Sequence, residues 1–286
     1  MNKQVKKEIT VQLKDDELEK IEIELLLEAI YRHYGFDFRN YTFSSMQRRV
    51  WHRVHAEKLS SISGLQEQVL HNPDILKKLV SDFSINVTEM FRDPSFYRSF
   101  REKVIPMLKK YSSIRIWHAG CSTGEEVYSM AILLHEEGLH EKAKIYATDI
   151  NETVLQTAKQ GKFPLKKMQL YTRNYLNSGG IRAFSEYYTI KDEDAVFHPF
   201  LRKNIVFALH NLAVDHSFNE FHVIICRNVM IYFNSSLQNR VHDLFYNSLI
   251  LSGVLGLGKK ESITLTSHKS YYEEIDSNEK LYRKIH

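Results

Sequence analysis

The sequence predicts an α/β domain built on a mostly parallel sheet, preceded by a small all-helical domain. Three observations carry this. Residues 15–83 show apolar positions at helical spacing with helix start and stop signals. From residue 113 the chain alternates strand, helix, strand, helix, the pattern of a parallel sheet with crossovers. The run His222-Val-Ile-Ile-Cys226 is apolar along its length apart from its first residue, as a central parallel strand buried on both faces should be.

Residues 1–14 are polar with one short alternating piece (Ile9, Val11, Leu13) and are read as a tail or a minor edge strand. From Asp15, the residues Leu18, Ile21, Leu25, Leu26 and Ile30 recur at helical spacing until Gly35 closes the run. A second helix is expected from about residue 42 to 58, and two more at 63–70 and 73–83. The helical domain is thus drawn at 15–84 and followed by a connector at 85–112, whose residues 94–110 form an amphipathic helix. The α/β domain is drawn at 113–286. Strands are expected at 113–119, 144–148, 205–209, 222–226 and 281–285, and helices at 125–138, 152–161 and 236–249. A small antiparallel insert is placed near 186–204.

With 286 residues the chain can bury a full core, and 43% hydrophobic with 26% charged residues excludes wholesale disorder. No stretch has the apolar length to cross a bilayer, and Met1 to Lys7 lead into mixed charge rather than an apolar signal core. A cytoplasmic address without membrane insertion is therefore expected. Cys121 and Cys226 each stand alone, so neither a disulfide framework nor a metal site is expected. A net charge of +4, spread over both ends, is not the dense basic patch of a nucleic-acid binder. No Asn/Asp-Pro-Pro-aromatic motif of the kind used on nucleic-acid amines ends the strand at 222–226.

The turn at 118–126, His-Ala-Gly-Cys-Ser-Thr-Gly-Glu-Glu, sits where the first strand hands over to its helix, the place where such sheets bind nucleotides. It has Gly120 and Gly124 but not the three glycines of a dinucleotide binder. Glu125 and Glu126 would repel a pyrophosphate and suit a cationic sulfonium, which favours S-adenosylmethionine over NAD. Asp149 ends the second strand, where an acid can accept from both ribose hydroxyls. Taken alone, these residues equally fit a glycine turn and a helix-capping aspartate.

Four segments in order resemble the motif set of the chemotaxis receptor glutamate methyltransferases, the CheR family. They are Asn86-Val-Thr-Glu-Met-Phe-Arg-Asp93, the turn ending Gly-Glu-Glu126, Cys226-Arg-Asn-Val-Met-Ile-Tyr-Phe233 and Gly256-Leu-Gly-Lys-Lys-Glu-Ser262. The likeness runs from about Ile21 to the C-terminus. It implies a Rossmann-like methyltransferase domain with an antiparallel last strand, and S-adenosylmethionine as cofactor with S-adenosylhomocysteine as product. The cofactor residues it implies are Asn86, Thr88, Arg92, Gly120, Glu126, Asp149, Asn211, Leu212, Arg227 and Asn228. It also implies Arg92, Arg227 and Tyr232 as the catalytic set. Met90 stands where the family usually has Phe, which implies looser packing over the cofactor.

The resemblance implies transfer of a methyl group to glutamate carboxylates on chemoreceptor cytoplasmic helices. Because a carboxylate is already ionised at neutral pH, such transfer needs alignment rather than a general base. Arg48, Arg49 and Arg53 on the second helix are expected to dock the acidic receptor helices, and Lys58 extends the same basic face. The insert is short and lacks glycine, so no C-terminal pentapeptide tether is expected, and the protein is expected to act as a monomer. A methyltransferase acting on another protein or a small molecule, and a non-catalytic docking module, are the alternatives.

Overall fold

The computed structural model describes residues 3–84, 86–264 and 266–286. The chain divides into two compact units, residues 1–85 with Tyr232–Leu237, and the remainder.

The smaller unit holds α1 (Lys3–Tyr34), α2 (Phe43–Ala56), α3 (Ile62–His71) and α4 (Pro73–Phe83). The residues read as a tail are helical from Lys3 onward. A polar composition with sparse apolar residues obscured a helix that is read clearly only from Asp15. The later helices begin where local chemistry dictates: the Ser61 hydroxyl accepts from Gly64 N–H at 3.1 Å, and the Asn72 side chain accepts from Asp74 N–H at 3.1 Å, with Pro73 opening α4. Ile23, Leu26, Ile30, Phe38, Val50, Leu65 and Leu79 fill the core. Tyr232–Leu237 joins this unit through main-chain pairing. Thr42 N–H donates to Tyr232 O at 2.9 Å, Asn234 N–H to Asn40 O at 2.9 Å, and Tyr41 bridges Phe233.

The larger unit opens with α5 (Pro94–Ser99), a π turn at Phe100–Val104 and α6 (Ile105–Leu108), where the sequence suggests one uniform helix. Then follow β1 (Ile114–Ala119), α7 (Glu125–Glu136), β2 (Ala143–Asp149), α8 (Glu152–Gln160), β3 (Lys162–Pro164), α9 (Met168–Asn177), β4 (Tyr188–Lys191), β5 (Asp194–Phe197), α10 (Pro199–Arg202), β6 (Ile205–Leu209), β7 (Phe221–Cys226), α11 (Ser235–Ser248), β8 (Leu249–Leu257), β9 (Tyr272–Asp276) and β10 (Leu281–Lys284). The main sheet runs β6-β2-β1-β7-β8-β10-β9, parallel through β8 and antiparallel at β10 and β9. Chain order reverses direction between β1 and β7, so the crevice past their carboxyl ends is the topological switch point. The insert is a three-stranded antiparallel sheet, β3-β5-β4, that begins at residue 162, well before the expected 186. Among the described residues no helix is long and apolar enough to cross a membrane.

Candidate active site

The carboxyl ends of β1 and β2 are tied by the glycine turn. Gly120 and Cys121 N–H both donate to Thr148 O, at 2.8 and 2.9 Å, a double contact that bends the chain sharply. Gly120 and Gly124 have φ of +80° and +95°, where a side chain is strained. A Cβ on Gly120 would also sit 2.5 Å from Val229 Cγ2. Asp149 closes the turn from β2: its Oδ2 accepts from Ser122 N–H at 2.9 Å and its Oδ1 from Asn151 N–H at 3.0 Å. Burial pushes this carboxyl above its ordinary range, opposed by those N–H groups. Each oxygen keeps a further lone pair, which is the acceptor capacity that two ribose hydroxyls require.

Residues 86–93 lie against the turn, with Asn86 Oδ1 accepting from the Ser122 hydroxyl at 3.2 Å. Two residues of this segment have left-handed backbone, Phe91 at φ 52° and Asp93 at φ 55°. Such a conformation costs a bulky residue about 1–2 kcal/mol. Here the surroundings impose it: the Phe91 ring packs on Tyr97 and Tyr175 with centroids 5.0 and 5.2 Å apart, and its N–H donates to Ser129 Oγ at 2.8 Å. Met90 is fully buried in the core of the unit. Half-buried Arg92 donates Nη1 to Val87 O at 3.0 Å and, among the described residues, leaves its other donors unspent; Thr88 is also half-buried.

The two acids that open α7 face different partners. Glu125, 2% exposed, accepts from Thr123 Oγ1 at 2.6 Å and Tyr171 OH at 3.2 Å and lies 3.6 Å from Lys167 Nζ. Glu126 is held by His118 Nδ1 at 2.9 Å and Arg227 Nη1 at 3.1 Å. Burial pushes its carboxyl up, but His118 and Arg227 outweigh this and hold it below the usual carboxylate range. With 18% of its side chain exposed, Glu126 is the member of the pair that retains accessible surface for a cationic group.

Residues 86–281 match the family described as CheR methyltransferase, SAM binding domain, and residues 21–84 match the CheR methyltransferase all-alpha domain. The chain belongs to the CheR methyltransferase family. The Pseudomonas putida protein Cher3 is 47% identical over 264 residues, 92% of this chain and 97% of its own length. The chemotaxis protein methyltransferase of Listeria innocua is 29% identical over 237 residues, 82% of this chain and 87% of that one. Chemotaxis protein methyltransferase 2 of Pseudomonas aeruginosa is 28% identical over 248 residues, covering 84% and 86%. S-adenosylmethionine is the cofactor of this CheR methyltransferase, and the donor set past β1 and β2 fits it: an acid with free lone pairs for the ribose, and an ionised, partly accessible carboxylate near a glycine turn.

Within the larger unit of this CheR chain, the sequence-predicted residues Asn86, Arg92, Gly120, Glu126, Asp149 and Arg227 are linked by direct contacts or shared partners. Asn211 follows β6, where its Oδ1 accepts from Ala213 N–H at 3.0 Å, and Leu212 beside it is buried. Arg227, implied as a member of the catalytic set, has its guanidinium turned to the chain's own acids. Its side chain is 1% exposed and its guanidinium is committed to Glu126, to Asp93 Oδ2 at 2.6 Å and to Arg92 O at 3.3 Å, while lying over the Phe96 ring at 4.3 Å.

The expected docking set also divides. Arg49 is buried, donates to Phe83 O, and lies 5.0 Å from the centroid of the Tyr232 ring. Arg53 pairs with Asp82 at 2.7 Å and Glu57 at 2.9 Å. Arg48 is the exposed member. Tyr232, half-buried, belongs to the smaller unit. Sequence reasoning gave no role to Glu261, whose carboxylate gathers four main-chain N–H groups. As an acid between a lysine pair and a serine it looks like a solvated charge.

Proposed function

We propose that this CheR methyltransferase esterifies glutamate side chains on the cytoplasmic helices of chemoreceptors, within the cytoplasm and as a monomer. Its relatives named as chemotaxis protein methyltransferases support the setting. The observation that carries the acceptor class is Arg92: a guanidinium with one N–H spent on Val87 O, at the end of a strained segment tied to the cofactor turn through Asn86. A planar cation with free donors suits a carboxylate acceptor.

S-adenosylmethionine supplies an electrophilic methyl group. When bound, it would give that methyl to an acceptor carboxylate oxygen, with S-adenosylhomocysteine and a methyl ester as the products. No proton moves, so the protein's task is to hold and align an already ionised carboxylate. Arg92 holds one oxygen. Arg227 keeps Asp93 and Glu126 in register behind it, and Asp149 and Gly120 serve the cofactor together with Thr88, Asn211, Leu212 and Asn228. Arg48 on the exposed side of α2 draws acidic helices, acting within about one Debye length. The β4–β5 hairpin, without glycine, takes no part in tethering a receptor tail.

The test is transfer of radiolabelled methyl from S-adenosylmethionine to purified receptor cytoplasmic fragments, with release of methanol by alkali as the signature of an ester. Arg92→Ala is expected to reduce transfer at least a hundredfold, and Arg48→Glu to raise KM for the fragment with little change in kcat. Tyr232→Phe tests the role that family resemblance implies for its hydroxyl. Binding of S-adenosylhomocysteine with no label entering any receptor fragment would sink the proposal, as would base-stable label.

A further inference from the structure

Glu261 is 5% exposed, and each of its carboxylate oxygens accepts two main-chain hydrogen bonds. Oε2 accepts from Gly258 N–H at 2.7 Å and Asn228 N–H at 2.9 Å; Oε1 accepts from Val229 N–H at 2.9 Å and Met230 N–H at 2.8 Å. The three consecutive donors at 228–230 belong to the loop that leaves β7. A loop that points three successive N–H groups at one spot forms an anion-binding concavity, and here the anion is the chain's own side chain. Asn228 takes a left-handed conformation, φ 62°, to make this possible. At the other end Gly258 is required by space, because a Cβ there would sit 2.7 Å from Glu261 Oε2 and 2.9 Å from Asn228 N.

The loop so held reaches the cofactor turn. Val229, whose N–H is bound by Glu261, lays its side chain on Gly120, with Cγ2 2.5 Å from where a Cβ would stand. Arg227, one residue before the bound segment, carries the ion pairs to Asp93 and Glu126. We propose that Glu261 is a positioning residue for cofactor binding. It clamps Asn228, Val229 and Met230 so that Val229 closes on Gly120 and shapes the glycine turn, while Glu261 itself touches neither cofactor nor acceptor. This holds whichever acceptor is methylated.

Loss of the carboxylate forces one of the elements around it to yield. In Glu261→Gln one oxygen becomes an NH2 that cannot accept, so two of the four interior N–H groups lack a partner, a situation folded chains avoid. β7 and β8 are locked by their parallel ladder, with Ile225 opposite Gly256 and Cys226 opposite Leu257, so they stay. The loop at 228–230, strained at Asn228, has no ladder and moves, taking Val229 off the turn.

Calorimetric titration with S-adenosylhomocysteine, at a temperature well below each variant's Tm, decides the matter. Glu261→Gln is expected to weaken binding at least tenfold. Leu108→Ala, a buried position in α6, serves as a control for destabilisation alone and is expected to bind within twofold of wild type. Glu261→Gln binding as tightly as wild type, or losing no more than the control, overturns the proposal. Val229→Ala leaves the carboxylate and its donors in place and folds whether or not the Gln variant does. It is expected to weaken binding at least threefold, and an unchanged affinity there overturns the step from loop to turn.

Discussion

Arg227 Nη1 lies 3.1 Å from Glu126 Oε2 while Nη2 of the same guanidinium lies 2.6 Å from Asp93 Oδ2, so one buried cation joins α7 to the strained segment before α5. Two acids share one arginine, and removing it leaves Asp93 without this partner and Glu126 with His118 alone. Arg227→Met is expected to cost about 3 kcal/mol of stability. Arg227→Lys keeps the charge but cannot fork between two carboxylates, so it should fold with a lowered Tm and lose at least tenfold in methyl transfer. Thermal melts beside transfer assays check both; a Lys variant with wild-type transfer would show that the fork is dispensable.

Asp149 predicts a graded loss. An asparagine retains one acceptor oxygen and can still receive one of the N–H groups of Ser122 and Asn151, but it offers the ribose half the acceptor capacity. Affinity for S-adenosylhomocysteine should fall about 10- to 100-fold in Asp149→Asn, equivalent to about 1.4–2.8 kcal/mol. Asp149→Ala should fall further. Equal affinities for wild type and Asn in calorimetry would remove the ribose contact.

Where local chemistry decides, the sequence was legible. β7 reads as a central strand because both faces are buried, and α4 reads from residue 73 onward through an apolar face that the structure packs inward. Gly120 and Asp149 are legible because they stand at the carboxyl ends of the first two strands, whereas the cofactor roles of Asn86 and Glu126 come from the resemblance to the CheR motif set. What escaped depends on distance. Arg227 follows a buried strand, which marked it as special, but its partners lie 101 and 134 residues away and no periodicity announces them. Arg49 and Arg53 share a helix with Arg48, yet burial in one case and Asp82 in the other remove them from the surface. β9, Tyr-Glu-Glu-Ile-Asp, reads as loop because it is an edge strand with two exposed acids, and α9 mixes buried Tyr171 and Tyr175 with polar residues that blur its apolar face.

Gly120→Ala should be more damaging than an ordinary surface glycine change. The left-handed backbone, φ +80°, strains any side chain, and the new methyl would meet Val229 Cγ2 at 2.5 Å. Val229 can rotate only by leaving the turn it covers. A loss of about 1–3 kcal/mol in stability is expected, with cofactor affinity falling at least tenfold. Combining Gly120→Ala with Val229→Ala should recover part of the stability, and denaturant midpoints of the single and double variants measure this coupling. Strict additivity would rule out the steric account.

His242 on α11 predicts how stability depends on pH. It is 3% exposed, and burial, aided by the nearby His268 and opposed by Asp243, pushes its imidazole down to about 4. An unfolded histidine titrates near 6.5. The native state therefore keeps the ring neutral while the unfolded chain takes up a proton between those values, so this contribution is complete above pH 6.5 and is lost as pH falls towards 4. At pH 5 the loss amounts to about 2 kcal/mol. His242→Gln removes the titration. Urea unfolding at pH 7 and pH 5 should show wild-type stability dropping by about 2 kcal/mol more than that of the variant. Identical drops would mean that the ring is solvated enough to protonate in the folded protein.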